Sequence, residues 1–108
     1  RQLRIYSAAN ELWAGKSLRE VARENGFSIR SFYREWEKCF NVSPKNYVMN
    51  KRIEKAKQLL INTGLNNMEI ARRCGFADTK YFYQWFQIHF SMSPQEFRKR
   101  IHNQNTMD

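Results

Sequence analysis

The chain has 108 residues, 42% of them hydrophobic, with three Trp, five Tyr and eight Phe, so it can bury a modest core and is not a disordered segment. Nineteen Lys and Arg against ten Asp and Glu leave a net charge of +9, which suits a polyanionic partner without choosing between nucleic acid and an anionic surface. No run of about 18 apolar residues exists, which excludes a membrane-spanning helix, and Cys39, Cys74, His89 and His102 lack any CxxC or HxxxH spacing, which argues against a metal centre.

In chain order, Leu3, Ile5, Tyr6, Ala9, Leu12 and Trp13 recur at helical spacing, and Gly15 ends this leader helix. Ser17 with Glu20 three residues on forms a capping box for a short helix whose Leu18, Val21 and Ala22 face inward. Gly26 stands where a helix needs a left-handed residue to stop. Ser28 caps a further helix to about Cys39, Asn41 breaks the chain as a residue tolerant of left-handed φ, and Ser43-Pro44 opens another helix. That connector carries Tyr47, Val48, Ile53, Ala56, Leu59 and Leu60 on its buried side up to Thr63-Gly64. At 1.5 Å per residue its roughly 18 residues span about 27 Å.

Asn66 and Glu69 then start a helix that ends at Gly75-Phe76, Asp78 caps one to about His89, and Ser93-Pro94 opens the last. The tail from Ile101 to Asp108 is polar and expected to fray. With few Gly and Pro, the chain reads as all-α, with about seven helices and no strand. The expected organisation is a first helix-turn-helix subdomain with its leader (1–43), a connector helix (44–63), a second helix-turn-helix subdomain (64–100) and a polar tail (101–108).

The chain says one thing twice. Ala22-Arg-Glu-Asn-Gly-Phe, Phe32-Tyr33, Trp36, Phe40, Val42-Ser43-Pro44 and Tyr47 return as Ala71-Arg-Arg-Cys-Gly-Phe, Phe82-Tyr83, Phe86, Phe90, Met92-Ser93-Pro94 and Phe97. The shift is 49 at Gly26/Gly75 and 50 from Phe32/Phe82 onward. Each copy is a helix, a Gly turn and a second helix with a strong N-cap, the helix-turn-helix pattern whose second helix enters the DNA major groove.

The outer faces of the two second helices differ. On the first, Phe32, Trp36, Cys39 and Phe40 share one arc, and Arg30, Arg34 and Lys38 lie opposite, with Tyr33 at the border. Arg30 and Arg34 suit guanine O6/N7 or phosphate, and Lys38, further along, suits phosphate. On the second, Phe82, Phe86, His89 and Phe90 form the apolar arc, with Lys80, Gln84 and Gln87 opposite and Thr79 and Tyr83 flanking. His89 is thereby expected to be packed, and Tyr81, Trp85 and Ile88 form a further apolar strip expected to pack on the connector. The base-facing candidates are Arg30, Tyr33, Arg34, Thr79, Lys80, Tyr83 and Gln84. The phosphate candidates are Lys38, Ser28, Ser43, Lys45, Gln87 and Arg98.

These motifs resemble the DNA-binding domain of the AraC/XylS family of bacterial transcription regulators. The resemblance covers about residues 5–100. It is carried by Ile70-Ala71, Gly75-Phe76, Tyr81-Phe82, Phe86, Phe90, Ser93-Pro94 and Phe97-Arg98, and by the connector from Arg52 to Leu60. It implies two helix-turn-helix subdomains joined by a central helix, adjacent major-groove contacts on one DNA face, and contact with RNA polymerase during activation. By position, it assigns base-facing roles to Arg30, Tyr33 and Arg34 in the first motif and to Thr79, Lys80, Tyr83 and Gln84 in the second. Four residues depart from the family pattern: Asn67 at a position usually apolar, Asn41 and Ser91 where Gly is common, and Gln84 where a base-facing residue is often basic.

The sequence is therefore read as a sequence-specific double-stranded-DNA-binding domain of a bacterial transcription regulator, an activator, working in the cytoplasm on nucleoid DNA. The first motif is expected to carry more of the affinity, and the site to be asymmetric. The alternative is a basic helical protein-interaction module for an acidic partner. An RNA binder would expose its aromatics for stacking, whereas here most sit at core spacing. No enzyme is expected, because no paired carboxylates, Cys/His pair or phosphate-cradling Gly loop appears. No cofactor is expected, and both cysteines are read as free, buried thiols. The chain begins at Arg1 without Met and is expected to be a piece of a longer protein, with any dimerisation or effector domain outside it.

Overall fold

The structure, a computed structural model, describes residues 2–106, and among them it holds seven helices and no strand. They are α1 (Gln2–Trp13), α2 (Leu18–Glu24), α3 (Ile29–Glu37), α4 (Pro44–Asn62), α5 (Asn67–Arg73), α6 (Thr79–Phe90) and α7 (Pro94–Thr106). The chain divides into two compact units, residues 1–49 and 50–108. The connector is thus not an element apart: the first turns of α4 complete one unit and the remainder opens the other.

The first unit is built on Ile5, Ala8, Ala9 and Leu12 of α1, Val21 and Ala22 of α2, Phe27 in the turn, and Phe32 and Trp36 of α3, all buried. Leu18, Cys39, Phe40, Tyr47 and Val48 close around this cluster. Positions 5, 8, 9 and 12 of α1 lie on one helical stripe, which is why this face turns inward. Leu3, expected on that stripe, is instead exposed, and Ala8 takes part in its stead. Trp36 stacks on Phe40 at 4.2 Å between ring centroids and meets Tyr47 edge-on at 5.5 Å. Its indole Nε1 donates to the Val42 carbonyl at 2.7 Å, so the largest buried side chain leaves no polar group without a partner.

The second unit repeats the scheme with Ile53, Ala56 and Leu60 of α4, Ile70 and Ala71 of α5, Cys74, Phe76, and Phe82 and Phe86 of α6. Phe86 is flanked by Phe90 at 4.7 Å and by Phe97 of α7 at 5.6 Å. The duplication extends further than the helix-turn-helix motifs. Arg4, Ile5, Ala8 and Leu12 of α1 match Arg52, Ile53, Ala56 and Leu60 of α4 at a constant shift of 48, and the three apolar pairs are buried in both copies. The leader helix is therefore the first unit's counterpart of the connector.

Side-chain caps start the helices as the sequence predicts. Ser17 accepts from the Glu20 amide, Ser28 from Ser31, Asn66 from Glu69 and Asp78 from Tyr81. The reciprocal capping box forms at Ser93, whose hydroxyl accepts from the Glu96 amide at 3.1 Å while its own amide donates to the Glu96 carboxylate at 3.4 Å. Asn41 does not take the left-handed turn expected of it. Its counterpart Ser91 does, at φ 60°, and ends α6 there. The first copy already leaves the helix at Lys38, so α3 is shorter than expected, with 9 residues against 12 in α6. The tail also differs from expectation, since α7 continues to Thr106; the remaining expected tail, Met107 and Asp108, lies outside the described residues. Cys74 is buried and Cys39 half-buried, both as free thiols, and burial pushes the Cys74 thiol up.

Candidate nucleic-acid interface

Each unit presents its second helix after the same turn. Phe27 donates its amide to the Ala22 carbonyl at 2.8 Å and Gly26 to Arg23 at 3.1 Å; Phe76 donates to Ala71 at 3.0 Å and Gly75 to Arg72 at 3.1 Å. These paired bonds are the helix-ending motif that requires a left-handed residue, and Gly26 and Gly75 supply it at φ 78° and 88°. An arginine lies over each turn. A Cβ at Gly26 would meet Arg4 Nη1 at 3.6 Å, and one at Gly75 would meet Arg52 Nε at 3.1 Å.

On α3, Arg30, Tyr33, Arg34 and Glu37 are exposed, as is Lys38 at its C-cap, while Phe32 and Trp36 face the core. Glu35 modifies the basic row. It is the buried charged residue of the described chain, 5% exposed, and its Oε2 lies 3.1 Å from Lys38 Nζ and 4.0 Å from Arg34 Nε. A carboxylate withdrawn from water needs such partners, so Lys38 shares its charge with this acid. Sequence reasoning missed Glu35, although an acid three residues before Lys38 was a readable signal.

On α6, Lys80, Gln84 and Gln87 are exposed, and Thr79 and Tyr83 are half-buried. The Tyr83 hydroxyl accepts from Asn67 Nδ2 of α5 at 3.2 Å. His89 packs at the helix edge rather than in the core: its ring meets Phe90 edge-on at 4.7 Å, and Nε2 lies 3.4 Å from Glu54 Oε1. The apolar strip also departs from expectation at Ile88, which is 75% exposed, while Tyr81 and Trp85 are half-buried with their rings 6.3 Å apart.

The phosphate candidates separate. Lys45 and Gln87 are exposed. The Ser28 and Ser43 hydroxyls accept from the Ser31 and Asn46 amides, both at 3.1 Å, and Ser28 also donates to Ser31 Oγ at 3.0 Å. Arg98, by contrast, is engaged within the fold. Its guanidinium donates to the carbonyls of Leu60 at 3.3 Å, Leu65 at 2.8 Å and Thr63 at 3.2 Å, all within the second unit. Three of its five N–H donors go to carbonyls at and just beyond the end of α4, so Arg98 helps terminate that helix and is committed first to the fold. Lys55 acts likewise for α5, donating to the Arg73 carbonyl at 3.2 Å.

The sequence matches the profile of a helix-turn-helix domain family over residues 21–100. It is 35% identical over 91 residues to the Msm operon regulatory protein of Streptococcus mutans, covering 82% of this chain. It is 33% identical over 79 residues to the transcriptional activator RhaS of Escherichia coli, covering 73% of this chain. Among solved structures, a Chromobacterium violaceum transcriptional regulator described as AraC-type superposes with a TM-score of 0.81 at 26% identity, covering 93% of each chain.

The chain belongs to the AraC/XylS family. As an AraC/XylS-type domain it is the sequence-specific DNA-binding part of a transcription regulator, a reading that membership favours over an acidic protein partner. The chain spans about a third of the relatives it matches, 33% of the Msm regulator and 28% of RhaS. No helix of the described AraC/XylS-type domain is long and apolar enough to cross a membrane.

Proposed function

We propose that α3 and α6 are the two recognition helices and that they enter adjacent major-groove segments of an asymmetric site. The observation that carries this reading is the contrast between their exposed N-terminal faces. Each helix follows a left-handed glycine and a side-chain N-cap, yet α3 presents Arg30 and Arg34 where α6 presents Lys80 and Gln84. Arginine gives bidentate bonds to guanine, glutamine to adenine, and lysine a single charge to guanine or phosphate. Tyr33 joins the first set, and Thr79 and Tyr83 the second.

Lys38, Lys45 and Gln87 flank these faces as phosphate contacts, and the helix N-termini at Ser28 and Ser43 contribute their backbone amides rather than their hydroxyls. With two arginines against one lysine, the first motif supplies more of the affinity. The domain acts as a binder and not a catalyst, within a larger bacterial regulator that activates transcription through contact with RNA polymerase on cytoplasmic, nucleoid DNA. Any dimerisation or effector domain would lie outside these residues.

In vitro selection of duplex DNA by this domain tests the reading. The expected result is two unlike elements about one helical turn apart. Selection of a single element, or of two copies of one element, would overturn it.

A further inference from the structure

The duplication supplies an internal comparison at the tyrosines. Tyr33 and Tyr83 occupy equivalent positions on α3 and α6. On the preceding helices, Asn67 of the second unit is the counterpart of Leu18 in the first, related by the same shift of 49 as the glycine turns. Leu18 packs against the first core, and Tyr33 is 43% exposed. Asn67 instead donates from Nδ2 to Tyr83 Oη at 3.2 Å, and Tyr83 is half-buried.

We infer that Asn67 is a positioning residue for DNA recognition by the second motif, holding Tyr83 so that its hydroxyl proton points outward as a hydrogen-bond donor to the duplex. A phenolic oxygen both accepts and donates. The amide of Asn67 occupies an acceptor site on Oη, which leaves the O–H for an acceptor outside the protein. It also holds the ring against α5, so the donor is oriented before DNA arrives and less rotamer freedom is lost on binding. Arg30 and Arg34 reach DNA in the first motif without such help. The second motif has one positive charge on this face, so an oriented neutral donor matters more there. The acceptor is a base edge or a phosphate oxygen, and the two give different outcomes below.

The inference rests on α6 being a recognition helix, and one set of variants separates the two claims. Binding of the selected duplex is measured by fluorescence anisotropy for the wild type, Tyr83→Phe, Asn67→Leu, the double variant and Lys80→Ala, with thermal melts of each. Leucine is the natural test at position 67 because Leu18 fills the equivalent place. The expected result is a Kd raised about three- to tenfold by either Tyr83→Phe or Asn67→Leu, the worth of one hydrogen bond, with no further loss in the double variant. Loss confined to one base position identifies a base acceptor; equal loss on all duplexes identifies phosphate. If Tyr83→Phe weakens binding and Asn67→Leu does not, or if their effects add, the positioning role is overturned and the recognition helix stands. If Tyr83→Phe and Lys80→Ala both bind as the wild type while remaining folded, α6 is not a recognition helix and both claims fall.

Discussion

Arg98 donates through Nη1 to the carbonyl oxygen of Leu65 at 2.8 Å, across 33 residues of sequence. With its bonds to Thr63 and Leu60, it ties α7 to the segment that leaves α4. Removing it leaves three partly buried carbonyls without their donor. Arg98→Ala is expected to destabilise the second unit by about 2 kcal/mol in chemical denaturation. Arg98→Lys should recover only part of this, because an ammonium cannot reproduce the planar fork. The slope of log Kd against log salt should be unchanged in Arg98→Lys and Arg98→Ala alike; a fall of about one in the alanine variant would return Arg98 to the phosphate contacts.

The glycine turns should not be equally tolerant. Both need a left-handed residue, which costs a side chain on the order of 1–2 kcal/mol. At Gly75 the added Cβ would also lie 3.1 Å from Arg52 Nε, whereas at Gly26 the nearest contact is 3.6 Å, an ordinary distance. Gly75→Ala is therefore expected to lower the melting temperature more than Gly26→Ala. Equal shifts would show that Arg52 moves aside freely.

Arg34 of α3 and Lys38 at its C-cap should respond differently to removal. Arg34→Ala is expected to weaken binding to the selected duplex by about 1–3 kcal/mol and to relax preference at one position. Lys38 already shares Glu35 as a counter-ion at 3.1 Å. Lys38→Ala should consequently reduce the salt slope by less than the full unit of an unpaired phosphate contact. A uniform loss across all sequences for Arg34→Ala would assign that side chain to phosphate.

Glu69 carries a pH dependence of definite sign. Hydrogen bonds from Arg72, and then Arg73, hold its carboxyl below the ordinary 4.5. The folded chain then binds fewer protons at this site than the unfolded chain. The pairing contributes its full stabilisation above about pH 4.5 and loses it as pH falls through the lowered native value. The stability advantage of the wild type over Glu69→Gln should shrink on acidification in that window. A carboxyl chemical-shift titration of Glu69 should show its midpoint below 4.5, and a midpoint at or above 4.5 would remove the effect.

The helices and the site were legible to different degrees. Ser28, Asn66 and Asp78 are caps because their short side chains reach an amide three residues on, which a linear reading captures. The outward placement of Arg30, Arg34, Lys80 and Gln84 follows from the inward placement of Phe32, Trp36, Phe82 and Phe86 on the same helices, since 3.6 residues per turn ties one face to the other. The α1–α4 equivalence was also in the sequence, as Arg-Ile-x-x-Ala-x-x-x-Leu at residues 4–12 and 52–60. It is masked by a change of register, because the shift is 48 along these helices, 49 at the glycine turns and 50 from Phe32/Phe82 onward.

What the sequence alone determined is what depends on neighbours within a turn or two: seven helices, their caps, the two glycine turns, and two matching cores beneath unmatched outer faces. Only the tertiary structure decided where the long polar side chains end. Arg98 turned to the end of α4, Lys55 to the end of α5, Arg52 over Gly75, and Asn67 to Tyr83. A basic side chain is a flexible stem with a charged tip, and periodicity places its root on a face without saying what the tip reaches. That depends on which carbonyls and hydroxyls other helices leave open nearby. The duplicated scaffold was therefore readable from the pattern, while the division of its basic residues between holding the fold and meeting DNA was not.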